Sequence, residues 1–216
     1  MIIFAVMENI SKQTANYLLL IKAVKLQPNE PFTWASGWKS PIYCDNRQTL
    51  SYPEVRKFLR DSFVHLIKEK YPDVEVIAGV ATGAIAIGVL VAEAMDLPFI
   101  YIRSSSKGHG LQNQIEGHYE AGQKVVVIED LVSTGGSSLK AVDALKSADC
   151  NVLGMMAIFT YGFETAENNF KEKNIELTTL SNYKELLKEA LNTGYITENQ
   201  VETLNNWRKQ PAEWGK

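Results

Sequence analysis

Between about Glu54 and Leu191 the chain alternates short apolar runs with segments of helical length, and this alternation leaves few architectures open. Apolar run, helix and apolar run in succession build βαβ units, whose parallel strands are covered on both faces by the crossover helices. The first helix follows Pro53, a residue suited to a first turn, and carries Val55, Phe58, Leu59, Phe63, Leu66 and Ile67 at helical spacing as far as Tyr71 and Pro72. Strands are predicted over residues 74–80, 99–102, 125–128, 152–159 and 175–180, and helices over 83–95 and 137–146 and from Glu164. The expected fold class is therefore α/β, a largely parallel twisted sheet flanked by helices.

Two segments stand outside the alternation. Residues 8–25 read as an amphipathic helix, and 32–44, rich in aromatic residues and turn formers, as a small N-terminal hood over one sheet edge. At 216 residues and 45% hydrophobic content the chain can bury one substantial core. A single domain over 1–216 is expected, with a helix and hood over 8–50, an α/β core over 51–195, and a C-terminal helix and tail over 196–216. The net charge of −3 offers no general attraction for nucleic acid or an anionic membrane. No uncharged apolar run is long enough to span a bilayer, and the apolar opening 1–6 meets Glu8 and Asn9 before a leader's apolar region is complete. Cys44 and Cys150 show neither metal-type spacing nor a disulfide framework, which fits a reducing cytoplasm.

The richest stretch runs from Val125 to Ser138. A strand of valines and isoleucine reaches Glu129 and Asp130, then Leu131, Val132 and the turn Ser133, Thr134, Gly135, Gly136, after which a helix starts at Ser137. Ligands of open α/β sheets bind outside the carboxyl ends of strands, which is where these residues fall. Unpaired N–H groups and the dipole at the helix start favour an anion, glycines admit it closely, and Ser133, Thr134, Ser137 and Ser138 add hydroxyl donors. Ionised Glu129 and Asp130 can only accept hydrogen bonds, so they suit a vicinal diol and not a phosphate. A sugar phosphate answers to both halves; the competing reading is a solvated Ser/Gly loop ahead of a capped helix. No G-x-x-x-x-G-K-[ST] or G-x-G-x-x-G motif is present.

This stretch closely resembles the phosphoribosyl pyrophosphate signature of type I phosphoribosyltransferases. The resemblance implies the type I phosphoribosyltransferase fold, with Glu129 and Asp130 on the ribose hydroxyls and Ser133 to Ser137 around the 5-phosphate. Two further segments resemble the orotate-using branch. Arg103 to Gly110, opening a polar run as far as Gly117, resembles its R-x-x-x-K-x-H-G loop, and Phe32 to Tyr43 resembles its F-x-x-x-S-G-x-x-S-P-x-Y stretch. The run has no apolar face of either period and reads as a long mobile loop. Arg103, Lys107 and His109 are the expected catalytic cations for a departing pyrophosphate, and in the family the loop closes over the neighbouring subunit's site, which implies a homodimer with shared active sites. Tyr43, Cys44 and Ser133 are the expected orotate contacts, Tyr43 offering a ring face to a flat pyrimidine; Trp34 and Trp38 serve equally well as packing.

The resemblance spans about Asn9 to Leu191, with the motifs in family order. Compared with the enterobacterial pattern, lysines are replaced by Ala35, Gly83 and Ser104, and Tyr161 stands in place of an orotate-contacting arginine. Ala81 to Ala84 matches the position of the pyrophosphate loop and reads equally well as a plain tight turn. Mg²⁺ is the expected cofactor, carried by substrate oxygens with no protein metal cage. The substrates implied are orotate and phosphoribosyl pyrophosphate, and the rivals are a transferase for another base, such as a purine, and a non-catalytic regulator that senses phosphoribosyl pyrophosphate.

Overall fold

The computed structural model describes residues 2–33, 37, 39–104 and 114–214, with side chains from Val6 onward. In chain order the elements begin with α1 (Ile2–Leu20), β1 (Val24–Leu26), β2 (Phe32–Thr33), β3 (Lys39–Ser40) and β4 (Ile42–Cys44). After a 3-10 turn over Asn46–Ser51 come α2 (Pro53–Lys70), β5 (Val76–Val80), α3 (Ile85–Met95), β6 (Phe99–Ile102) and β7 (Ile115–Glu116). The chain continues through β8 (Lys124–Val132), α4 (Gly136–Ser147), β9 (Asn151–Thr160), α5 (Glu164–Glu172), β10 (Leu177–Asn182), α6 (Tyr183–Asn192) and α7 (Glu198–Lys209). Two compact units result, Leu50–Leu180 and a second made of Met1–Thr49 with Ser181–Lys216.

The Leu50–Leu180 unit is built on a six-stranded sheet of order β10-β9-β8-β5-β6-β7. β6, β5, β8 and β9 run parallel, as the alternation predicted, and β7 adds an antiparallel edge, Tyr101 opposite Glu116 and Ile102 opposite Ile115. That edge corrects the reading of the whole 103–117 run as loop: two residues are too short for a periodicity to register, yet Ile115 is buried against β6 and the core. Val76, Ala78, Val125 and Val127 share their core with Leu139, Val142 and Leu145 of α4, the pattern expected of strands covered by a helix. α3 sits very close to β5. A β-carbon at Gly88 would lie 2.7 Å from the Phe99 ring, and one at Gly79 would lie 2.9 Å from the Ala84 carbonyl.

In the second unit, α1 ends at Leu20 and not near residue 25. Lys22 adopts a left-handed φ of 59°, and Val24–Leu26 then pairs antiparallel with β4, with Val24 and Leu26 buried and Lys25 between them half-exposed. A period of two over 24–26 competes with a helical period, and the partner strand decides it. α1 packs on α6, where buried Glu189 accepts from the Asn16 side chain at 3.0 Å and from Asn192 at 3.1 Å. Asn182 caps α6 by accepting the Glu185 N–H at 3.0 Å. The C-terminal helix predicted as far as Trp207 is present as α7: the Tyr183 hydroxyl donates to the Leu204 carbonyl at 2.9 Å, and the fully buried Trp207 ring lies 5.6 Å from that of Tyr183. Burial pushes the Tyr183 phenol well above its usual range.

One glycine of β9 carries a packing constraint that can be measured. The register between β8 and β9 slips between Val125 and Val126, and just beyond the slip the Tyr71 phenol covers Gly154 so closely that a β-carbon would clash with its oxygen. The phenol donates to Glu176 at 3.3 Å, and its pKa is pushed up to about 12, first by burial and then by the Glu176 charge. Gly154→Ala is expected to destabilise the protein by roughly 1–3 kcal/mol through overpacking. Urea unfolding would show this, and the loss should shrink in a Tyr71→Leu background because the two sites are in contact.

Candidate active site

β5 and β8 are neighbours, but their chains leave in opposite directions, β5 through α3 to β6 and β8 through α4 to β9. Such a reversal opens a crevice at the carboxyl ends of the two strands, the usual ligand site of an open α/β sheet. The register shows where it opens. β5 and β8 stay paired from Val76 opposite Val125 to Gly79 opposite Ile128. β8 then continues to Val132 on β9 alone, with Glu129 opposite Ala157, Leu131 opposite Phe159 and Val132 opposite Thr160. The strand expected to end at Ile128 is therefore extended through the acids, because its other neighbour runs on beside it.

Strand alternation separates the two acids. Glu129 falls on the face of Val125 and Val127, under α4, and is 5% exposed. Its carboxyl group accepts the Asp130 N–H at 2.9 Å and the Ser138 hydroxyl at 2.9 Å. Burial, reinforced by Asp130, pushes its pKa well above the ordinary carboxylate range. Ser138, expected among the anion donors, is buried and spends its hydroxyl on Glu129. Asp130 is half-buried on the other face, against the loop after β5: any β-carbon at Gly83 would fall on its carboxyl group. Gly83, noted in the sequence as a lost lysine, thus also leaves room for Asp130. Within that same loop the peptide bond Ala81–Thr82 is cis.

The turn after β8 presents Ser133 half-buried and Thr134, Gly136 and Ser137 exposed, while Leu131 is half-buried and Val132 buried. Gly135 takes a φ of 82°, open to glycine at little cost, and as N-cap of α4 has no side chain to satisfy the first-turn N–H groups. Three contacts reach this turn from β9 and α5, and no local pattern of residues marks them. The Thr160 hydroxyl donates to the Val132 carbonyl at 3.0 Å, the Asn169 amide to the Thr134 carbonyl at 2.9 Å, and a β-carbon at Gly135 would lie 2.8 Å from the Phe170 ring. No local periodicity could signal partners 28 and 35 residues downstream.

The ends of the 103–117 run meet at the sheet edge. The Arg103 N–H donates to the Gln114 carbonyl at 2.8 Å, and its guanidinium lies 3.5 Å from the Glu116 carboxylate. Lys107 and His109 lie outside the described residues, as do Trp34, Ala35 and Trp38; Ser104 is exposed. Tyr43 and Cys44 belong to the other unit, in β4, with the Tyr43 ring 39% exposed and 5.6 Å from Phe32, and the Cys44 thiol donating to Asn46 at 3.3 Å. Tyr161 is buried, stacked on Phe163 at 5.4 Å and edge-on to Phe159 at 5.8 Å. Among the described residues no cluster of three His, Cys, Asp or Glu side chains is placed to hold a metal ion.

Comparison with known proteins agrees with this geometry. The sequence profile of the phosphoribosyl transferase domain matches residues 47–189. An orotate phosphoribosyltransferase of Porphyromonas gingivalis is 56% identical over 97% of this chain and 100% of its own length, and one of Bacteroides fragilis is 58% identical over 96% and 98%. The chain belongs to the orotate phosphoribosyltransferase family. The crystal structure of the Aeropyrum pernix orotate phosphoribosyltransferase superposes with a TM-score of 0.74 at 26% identity, covering 85% of this chain and 99% of that one. The expected α/β class and the type I phosphoribosyltransferase fold are both borne out.

The buried acid supplies a pH test of this site. A carboxyl group whose pKa is higher in the folded than in the unfolded chain stabilises the fold below the unfolded pKa and loses that contribution as pH rises through the folded value. The ligand-free protein should therefore lose stability as pH climbs from the ordinary carboxylate range towards the raised pKa of Glu129. Glu129→Gln should remove this component of the slope in urea melts run across a pH series.

Proposed function

We propose that the chain joins orotate to the ribose of phosphoribosyl pyrophosphate at the crevice where β5 and β8 part, releasing pyrophosphate and forming orotidine 5′-monophosphate for pyrimidine (UMP) synthesis. One observation carries the reading: an acid pair and an uncapped, glycine-led helix start lie together at the sheet's switch point, in a chain 56% and 58% identical to two proteins named orotate phosphoribosyltransferase. Glu129 and Asp130 accept the ribose hydroxyls, while Leu131 and Val132 carry the chain into the turn. Ser133, Thr134, Gly135, Gly136 and Ser137 hold the 5-phosphate through N–H and hydroxyl donors. Ser133 contacts orotate.

Breaking the bond to pyrophosphate leaves positive charge on the ribose and negative charge on the leaving group. Lys107 and Arg103 supply fixed positive charge, and His109 a donor or a proton to the departing oxygen. Closure of the 103–117 run excludes water and protects the activated sugar from hydrolysis. The half-buried carboxyl group of Asp130 would offer a hard oxygen to a cation delivered on the substrate. Mg²⁺, when bound to the pyrophosphate and ribose oxygens, neutralises charge on the leaving group. A homodimer, in which each 103–117 run serves the partner's site, and a cytoplasmic location complete the proposal. Two free cysteines fit a reducing compartment, and no helix of the described residues is long and apolar enough to cross a membrane.

Loss of orotate absorbance in the presence of phosphoribosyl pyrophosphate and Mg²⁺ is expected, with no consumption of adenine, guanine, hypoxanthine or uracil. Turnover of a purine instead would reassign the base, and turnover of none would leave a sensor. Chelation of Mg²⁺ should abolish turnover. Lys107→Ala should lower it by roughly a hundredfold or more, the scale of one lost charge stabiliser; unchanged turnover would remove Lys107 from its role. Mixing Lys107→Ala subunits with Asp130→Ala subunits should restore part of the activity if sites are shared, whereas an additive mixture of two inactive proteins would contradict sharing.

A further inference from the structure

The turn that follows the acids is held from behind. In a planar trans peptide the C=O and the following N–H point in opposite directions, so fixing a carbonyl also fixes the amide on its other side. The Val132 carbonyl accepts both the Thr160 hydroxyl at 3.0 Å and the Tyr161 N–H at 3.3 Å, and Thr160 Oγ1 itself accepts the Gly162 N–H at 3.1 Å. That second bond orients the hydroxyl, leaving its proton for Val132. Two residues further on, the Thr134 carbonyl accepts Asn169 Nδ2 at 2.9 Å. Both carbonyls are thereby held towards β9 and α5, and the N–H groups of Ser133 and Gly135 point the other way. Gly135, in the left-handed region at φ 82° and backed by Phe170, supplies the bend that makes successive N–H groups concave.

We infer that Asn169 and Thr160 are positioning residues for substrate binding, aiming the N–H groups of Gly135 and Ser133 by holding the Thr134 and Val132 carbonyls. This rests on the reading that the 133–137 turn takes the 5-phosphate. Were the Thr134 carbonyl released, its peptide unit could turn over and present an oxygen to the anion in place of a donor, whereas the Val132 carbonyl, still held by the Tyr161 N–H, would lose alignment only. Neither side chain touches the substrate; each acts through one backbone unit. Asn169 is half-buried on α5 and Thr160 is buried at the end of β9, so the two differ in packing while sharing one effect.

The test is steady-state kinetics of Asn169→Leu, which keeps much of the shape and removes the donor without adding a charge, with Thr160→Val and the donor-retaining Thr160→Ser. Losing one such bond should raise KM for phosphoribosyl pyrophosphate by about two- to tenfold in Asn169→Leu and in Thr160→Val. KM for orotate and kcat should move less than about twofold, and Thr160→Ser should behave like the parent. Calorimetric titration with ribose 5-phosphate should show the same loss. A purely structural role would instead lower the melting temperature without selective loss of phosphoribosyl pyrophosphate affinity. Gly135→Ala provides the separating control, because it strains the turn itself. If Gly135→Ala weakens phosphoribosyl pyrophosphate and both Asn169→Leu and Thr160→Val bind it normally, the positioning inference is wrong. If Gly135→Ala also binds normally, the assignment of the turn as the phosphate site is what fails.

Discussion

Much of this molecule follows from the unequal pairing of one strand. β8 has β5 on one side only as far as Ile128 but keeps β9 on the other as far as Val132. The acids are therefore held in regular backbone geometry by one ladder while the other side of the strand lies open. A crevice formed this way is stiff, because its wall is still a strand, and it needs no loop to hold the carboxylates. Alternation then sends Glu129 under α4 and Asp130 towards Gly83, so that two adjacent acids point to opposite faces.

Stiffness continues into the turn by a different means. Beyond Val132 there is no ladder, and the backbone is controlled through single carbonyls, by Thr160 and Asn169, and through Phe170 packed on Gly135. The Ser138 to Glu129 bond ties the first turn of α4 back to the strand it follows. A phosphate is bound best by donors already in place, since each N–H that must be reoriented costs conformational entropy. The geometry of this turn thus depends on β9 and α5 as much as on its own residues.

The second unit uses longer-range polar anchors. Glu189 is buried and accepted into α6 only because Asn16 and Asn192 satisfy its oxygens, and Tyr183 can be buried because Leu204 offers its carbonyl. In the Leu50–Leu180 unit, Tyr161 is sealed between Phe159 and Phe163 by aromatic packing at the end of β9.

The order of strands and helices, the two acids before a hydroxyl- and glycine-rich turn, and the family could all be read from the chain, because each is a local pattern within a few residues. Hydrophobic period reports burial, and a glycine turn between a strand and a helix reports its own backbone needs. The extent of β8, the end of α1 at Leu20 and the short edge strand β7 were decided by partner strands, whose registers no single segment encodes. The engagement of Ser138, the room that Gly83 leaves for Asp130, and the hold of Thr160 and Asn169 on the turn were likewise settled only in three dimensions. Each of these is a contact between residues distant along the chain, and its geometry exists only once the sheet has brought β5, β8, β9 and α5 side by side.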